Sequence, residues 1–284
     1  MRLLLIASRG SEHYPGSLDD LAQPPNALYM LGDPRVLRGR CVSIVGTREP
    51  TPYGMKTARA ISGALSQAGV CIVSGMARGI DAAAHRAALE SSGPTVAILG
   101  TGVDVPYPAG HRDLHRVIAR SGLVASENLP GAHAHKGAFP KRNRIIAALC
   151  PVTIVIEAGH KSGALNTASQ ALQLGRTVAA VPGPIDSPQS EGTNQLIRDG
   201  ASVIATIDDA LALVGVAATI ASQPPYQLSD VEASIWSALA EGAMTIDLLL
   251  HKTRLPARDC LTAITSLEIQ GMVESLLTGE IRRR

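Results

Sequence analysis

The chain has 284 residues, of which 45% are hydrophobic and only 2% aromatic, and its 26 basic and 24 acidic side chains leave a net charge of +2. That length suits one large α/β domain with a small appendage. The near-neutral balance excludes a histone-like, broadly cationic binder, so any nucleic-acid site must be local, and a core this poor in rings must be aliphatic.

The first residues, MRLLLIASRG, hold an apolar run too short for a signal peptide or a membrane span. Residues 1–40 carry Tyr14-Pro15 and Pro24-Pro25 and read as an extended cover segment with one short helix. Across residues 41–214, short β-branched runs alternate with Ala-rich amphipathic stretches, the pattern of βαβ units and a parallel sheet. Strands are expected at Val42–Val45, Val70–Ser74, Thr95–Leu99, Leu123–Ala125, Val152–Ile156, Val178–Ala180 and Ser202–Ile204, with helices between them closed by glycines such as Gly69 and Gly175. The four cysteines, Cys41, Cys71, Cys150 and Cys260, sit in apolar stretches without CxxC spacing, as buried, reduced thiols of a cytosolic protein do.

Residues 215–227 include Ser222-Gln223-Pro224-Pro225 and read as a linker. Residues 228–284 then predict a helix capped at Ser229-Asp230 and running through Leu239, a second at Ile246–Thr253, a third at Ala257–Gln270, and an extended tail, which is the order of a winged helix. Over Tyr226–Arg284, six basic residues face eight acidic ones. A negative module with only Arg258 near the start of its third helix suits protein docking, regulation or a stabilising cap better than duplex reading. Arg282, Arg283 and Arg284 read as a solvated tail.

The chemistry lies in the turns. Val45-Gly46-Thr47-Arg48 ends the first long strand, where open parallel sheets bind ligands. Gly46 lets backbone approach a phosphate, and Arg48 offers it a fork of donors, although an arginine here can equally pair with a carboxylate. The second turn, Ser74-Gly75-Met76-Ala77-Arg78-Gly79, opens a helix at the positive end of its dipole, so its N–H groups suit an anion. Asp81 and His85, one turn apart on that helix, invite a catalytic reading, yet no nucleophile or metal cluster accompanies them, which favours packing. Gly100-Thr101-Gly102 lacks the third glycine of a dinucleotide fingerprint, and no nicotinamide cofactor is expected; Tyr107 after it is a candidate stacking surface. From Lys136 to Arg144, four cations surround Phe139, the chain's only Phe, a combination that suits single strands if the ring is not simply core. Arg142 and Arg144 cannot share one helix face, so one of them is expected to be structural. Lys161-Ser162-Gly163 opens another helix, Thr167 adds a hydroxyl one turn in, and Gly192 and Asn194 follow the turn at Val181-Pro182-Gly183-Pro184. Several anion seats on one sheet edge suit a polymer of phosphates better than one small ligand.

Taken together and in order, VSIVGTR, SGMARGIDAAAH, GTGVDVPYP, SENLP, FPKRNRII, EAGHKSGALNTA, AVPG and GTNQLIRDGA resemble the DprA/Smf family (DNA-processing protein A) from about Tyr14 to Leu213, and the module after the linker resembles the winged-helix appendage of many members. The resemblance implies an extended Rossmann-like α/β fold, a mostly parallel sheet with a mixed edge and helices on both faces. It also implies a cytoplasmic homodimer that binds single-stranded DNA during natural transformation, protects it and helps load the RecA recombinase, with no catalytic role and no cofactor. It maps the family's DNA pocket to Gly46, Arg48, Lys161, Gly163, Thr167 and Asn194, with Arg142 and Arg144 beside them, and the glycine-rich turns extend the expected contacts to Ser74, Gly75, Arg78, Gly79, Ser162 and Gly192. His111 stands where Asn is expected, and Ala164 where Ser is frequent, so the pocket loses a hydroxyl. Many members begin with a small helical domain resembling a sterile-alpha-motif, which is not expected in a chain that starts near the Tyr-Pro element.

Two other classes stay open. A phosphoribohydrolase on a related scaffold would carry PGGxGTxxE, which Pro182-Gly183-Pro184 does not continue. A regulator that senses a nucleotide and reads duplex DNA through the winged helix conflicts with the acidic balance of that module.

Overall fold

Alternate residues of the first long strand face opposite ways into two aliphatic layers. Val42 and Ile44 join Ile61, Leu65 and Ile154, whereas Cys41 and Val45 join Ile145, Ile146 and Ala168. A strand buried on both faces belongs inside a helix-covered parallel sheet, and the computed structural model, which describes residues 4–135, 137–216, 228–276 and 279–283, places it there. Its contacts divide the chain into two units, Met1–Ala218 and Thr219–Arg284. No helix among the described residues is long and apolar enough to cross a membrane.

In the first unit the elements run β1 (Leu5–Ser8), β2 (Ala27–Gly32), β3 (Cys41–Val45), α1 (Pro52–Gln67), β4 (Cys71–Ser74), α2 (Ile80–Glu90), β5 (Thr95–Ile98), α3 (Arg112–Ser121), β6 (Leu123–Ser126), α4 (Ala138–Leu149), β7 (Val152–Val155), α5 (Gly163–Gln173), β8 (Thr177–Ala180), α6 (Glu191–Arg198), β9 (Ser202–Val203) and α7 (Ile207–Leu213). The strands from β3 onward lie within one residue of their expected ends, because each is a short apolar run stopped by a turn residue. Residues 1–40 differ from expectation: they supply β1 and β2 with two 3-10 turns, and β2 pairs antiparallel with β6. Alternation explains the difference, since Leu28 and Met30 are fully buried between less buried neighbours.

The sheet order is β1-β2-β6-β5-β4-β3-β7-β8-β9, parallel from β6 to β9. The chain steps outward from β3 to β6, returns through α4, and continues from β7 on the other side of β3. This reversal makes the carboxyl ends of β3 and β7 the topological switch point, the crevice where open α/β sheets take ligands. Cys41, Cys71 and Cys150 are buried free thiols, Cys41 lying within hydrogen-bonding reach of the other two, and burial pushes the Cys150 thiol up.

The second unit holds α8 (Asp230–Ala238), β10 (Met244–Thr245), α9 (Ile246–Thr253), α10 (Ala257–Ile269), β11 (Val273–Ser275) and β12 (Glu280–Arg283), with a sheet of order β10-β12-β11. This is the expected winged helix. Ser229 caps α8 in a reciprocal box with Glu232, and Ile235, Leu249, Cys260 and Leu267 form its core. The arginine tail is not simply solvated: Arg282 pairs with Glu274 at 2.6 Å, and Arg283 lies 4.3 Å from the centre of the Trp236 ring. Both sit in β12, Arg282 held across the strand pair by Glu274 and Arg283 held against Trp236 of α8; Arg284 and most of the expected linker, residues 217–227, lie outside the described residues.

Candidate nucleic-acid interface

The turn after β3 is held by an acid the sequence does not advertise. Glu157, just past β7, is buried; its carboxylate accepts from Thr51 N at 2.9 Å and from the Thr51 hydroxyl at 2.5 Å, and its carbonyl accepts from Thr47 N at 2.7 Å. Thr51 in turn caps α1 by accepting from Gly54 N at 3.1 Å. Arg48 therefore projects from a pinned loop, exposed and in no ion pair among the described residues. Gly46 serves packing as well as approach, since a Cβ there would come within 2.6 Å of Ile80.

The second turn is an anion seat already filled from within. The Asp81 carboxylate accepts from Gly75 N at 3.2 Å and Ala77 N at 3.3 Å; burial pushes its pKa up while Arg142 opposes the shift. The Ser74 hydroxyl donates to Ile44 O at 2.6 Å. Gly79 adopts φ +77°, which favours glycine, and brings Ile80 N to 3.2 Å from Thr47 O. Ser74 and Gly75, expected as DNA contacts, thus make bonds within the fold, and Gly79, expected as another, brings the two turns together; Gly75 also lines a cavity beside Arg78. Arg78 stays exposed.

From the other face, α4 delivers its first turns beneath these strand ends. Arg142 is only 4% exposed, and its Nη1 donates to Gly75 O at 2.7 Å and to Ile98 O. Burial pushes the guanidinium down to about 10, with Asp81 opposing. Arg144 points elsewhere, donating to Gln23 O at 2.8 Å and pairing with Glu127, which also takes Lys141 at 3.4 Å. Helical geometry sends side chains two positions apart to different faces, so Arg142 reaches the cleft and Arg144, expected beside it, does not. Phe139 is half-buried; Tyr107 stacks 4.9 Å from its ring centre, and the Arg48 guanidinium carbon lies 5.4 Å from it. Lys136 lies outside the described residues.

The third contribution is the loop from Gly159 to the start of α5. Ser162 caps α5 by accepting from Ala164 N at 3.3 Å, while Lys161 is exposed and in no ion pair among the described residues. The cleft encloses about 680 Å³, and Gly46, Arg48, Arg142, Lys161, Ser162, Gly163 and Thr167 line it together. His160, Asn143 and Asn166 line it too, unforeseen in the sequence because nothing in their spacing sets them apart; Glu49 and Glu191 add carboxylates to its wall. Gly192 and Asn194 are not among the lining residues. Gly192 N donates to Ala158 O at 2.7 Å, and the Asn194 amide bonds the Gly183 peptide at 3.2 and 3.0 Å. Two cations beside a helix N-terminus, in no ion pair among the described residues, make an arrangement that suits phosphate groups.

Asp81 and His85 take structural roles. Thr95 Oγ1 donates to Ile72 O at 2.8 Å, so at 2.7 Å it must accept from His85 Nδ1–H, which fixes the neutral tautomer. Burial pushes the imidazole from 6.5 down to about 3. The unfolded chain takes up this proton near 6.5 and the folded one does not, so stability is full above that pH and falls by up to about 1.4 kcal/mol per unit towards pH 3. His85→Gln should flatten this part of the acid-unfolding profile followed by circular dichroism; an unchanged slope would assign it to other groups.

Comparison with known proteins accords with this geometry. The sequence profile described as DNA recombination-mediator protein A matches residues 5–215, and that of the DprA winged helix domain matches residues 219–277. The DNA processing protein DprA of Streptococcus pneumoniae is 42% identical over 199 residues, spanning 70% of each chain. An X-ray structure of DprA from that organism superposes with a TM-score of 0.71 at 39% identity, covering 74% of each chain. The DNA processing protein A of Helicobacter pylori, solved for its single-stranded DNA binding mode, superposes with a TM-score of 0.67 at 32% identity, covering 76% of this chain and 99% of that one.

Proposed function

Because the chain belongs to the DNA recombination-mediator protein A family, we propose that it binds single-stranded DNA in the cleft between β3 and β7, protects incoming DNA and helps load a RecA-type recombinase during natural transformation. In this reading it is a cytoplasmic homodimer that acts by binding, without catalysis. The observation that carries the proposal is that exposed Arg48 and Lys161, neither in an ion pair among the described residues, line one cleft. Arg9, Arg38 and Arg59 each pair with a carboxylate, whereas Arg48 and Lys161 face the cleft without one among the described residues. Two cations left open at a switch point are arranged for phosphate. The H. pylori protein's single-stranded DNA binding supports the choice of strand. The structural roles of Asp81 and His85 support the choice of binding over chemistry.

Affinity for a single-stranded and a duplex oligonucleotide, each measured at two salt concentrations, tests the proposal. Single strands should bind more tightly, and each phosphate neutralised should add about 0.7 to the slope of log K against log salt. A preference for duplex would count against the reading.

A further inference from the structure

A second cavity of about 310 Å³ adjoins the cleft and shares Arg48, Ala77, Phe139 and Arg142 with it. We propose that it is an additional nucleotide subsite, in which the Tyr107 ring stacks one base of the bound strand and Arg78 holds that nucleotide's phosphate. The inference rests on the reading of the main cleft as a single-stranded DNA site and names the direction in which the strand continues.

Tyr107 is 40% exposed in a chain with 2% aromatic residues. Core packing does not account for a ring so placed. Its ring neighbour among the described residues is Phe139, at 4.9 Å between centres and tilted by 35°, so the two rings form a bent apolar wall running from the main cleft into the second cavity, with Pro108 extending it. Arg78 lines this cavity, is exposed, and has no ion pair among the described residues. Arg116 on neighbouring α3, by contrast, pairs with Asp113.

The two groups are also held in register. His111, on the segment after Tyr107, is hydrogen-bonded through Nδ1 to Met76 O at 3.0 Å, on the turn that carries Arg78. Met76 itself has φ 55°, a conformation uncommon outside glycine, and the histidine contact secures it. An Asn amide can donate the same bond, which gives the departure at His111 a conservative physical meaning. A π-face and an exposed guanidinium, in no ion pair among the described residues, lining one cavity continuous with the main cleft match a nucleotide: base on ring, phosphate on fork. An apolar side chain would leave Arg78 without a partner.

The test uses the full chain and dT oligonucleotides of graded length, with 2-aminopurine placed at single positions. In the unmodified protein, affinity should climb with length until the subsite fills, and one probe position should be quenched by stacking. Tyr107→Ala should remove that quenching and the last step of the length gain, about 5- to 150-fold for one stacked base. Tyr107→Phe should restore both, and Arg78→Gln should lower the salt slope by about 0.7. Should Arg48→Glu abolish binding at every length while Tyr107→Ala keeps the full length gain and the quenching, the subsite is overturned and the cleft reading survives. Should Arg48→Glu bind normally, the cleft reading itself fails.

Discussion

Arg48→Glu is expected to lower the affinity for a single-stranded oligonucleotide at least about 30-fold while leaving the melting temperature nearly unchanged. The floor follows from Coulomb's law in water, where unit charges 4 Å apart interact by about 1 kcal/mol; reversing the sign swings that by about 2 kcal/mol, and each 1.4 kcal/mol is tenfold. A partly dehydrated cleft raises the effect. The fold should tolerate the change because Arg48 is exposed and makes no ion pair among the described residues, and because the loop beneath it is held through Glu157 and Thr51. Titration of a labelled oligonucleotide, with thermal unfolding alongside, separates the two effects. Unchanged affinity in a folded variant would remove Arg48 from the interface.

The sequence was most legible where local chemistry decides. Runs such as Val152–Ile156 declare a strand buried on both faces, and the strand that forms ends one residue earlier. Ser229-Asp230 announces the first helix of the winged module, and the structure adds Glu232 to that cap as a reciprocal box. What stayed hidden depends on contacts distant in the chain. Glycine at 75 suggested donors free for phosphate, but only the folded chain brings Asp81 onto those donors and Arg142, 67 residues away, onto the Gly75 carbonyl. Gly192 and Asn194 carry the right chemistry at a strand end, yet their polar groups close onto Ala158 and Gly183. Glu157 reads as an ordinary acid after a strand, and its use as the clamp on the Arg48 loop needs β3 beside β7. The six residues of β2 were missed for a related reason: Pro24 and Pro25 just before it signal irregular chain, and only pairing with β6 makes the segment a strand.

Arg142→Met should destabilise the protein by about 2–6 kcal/mol, because the Gly75 and Ile98 carbonyls lose their buried donor at about 1–3 kcal/mol each. The deficit should shrink as the pH is lowered, and this dependence separates loss of the charge from loss of packing volume. Asp81 is buried, with a pKa already raised by burial and restrained by Arg142. Without the guanidinium that pKa rises further, so the variant's Asp81 stays protonated to higher pH. A group whose folded pKa exceeds its unfolded value contributes stability at low pH that is lost as pH rises through the folded pKa, so the variant gains relative to the parent in acid. His85 acts in the same direction, since Arg142 also depresses its pKa and removal relaxes the penalty for charging it. Urea unfolding of both proteins at pH 7 and pH 5 provides the measurement. A deficit equal at the two pH values would mean that Arg142 acts through its hydrogen bonds and packing and that the filled anion seat at Asp81 does not depend on its charge.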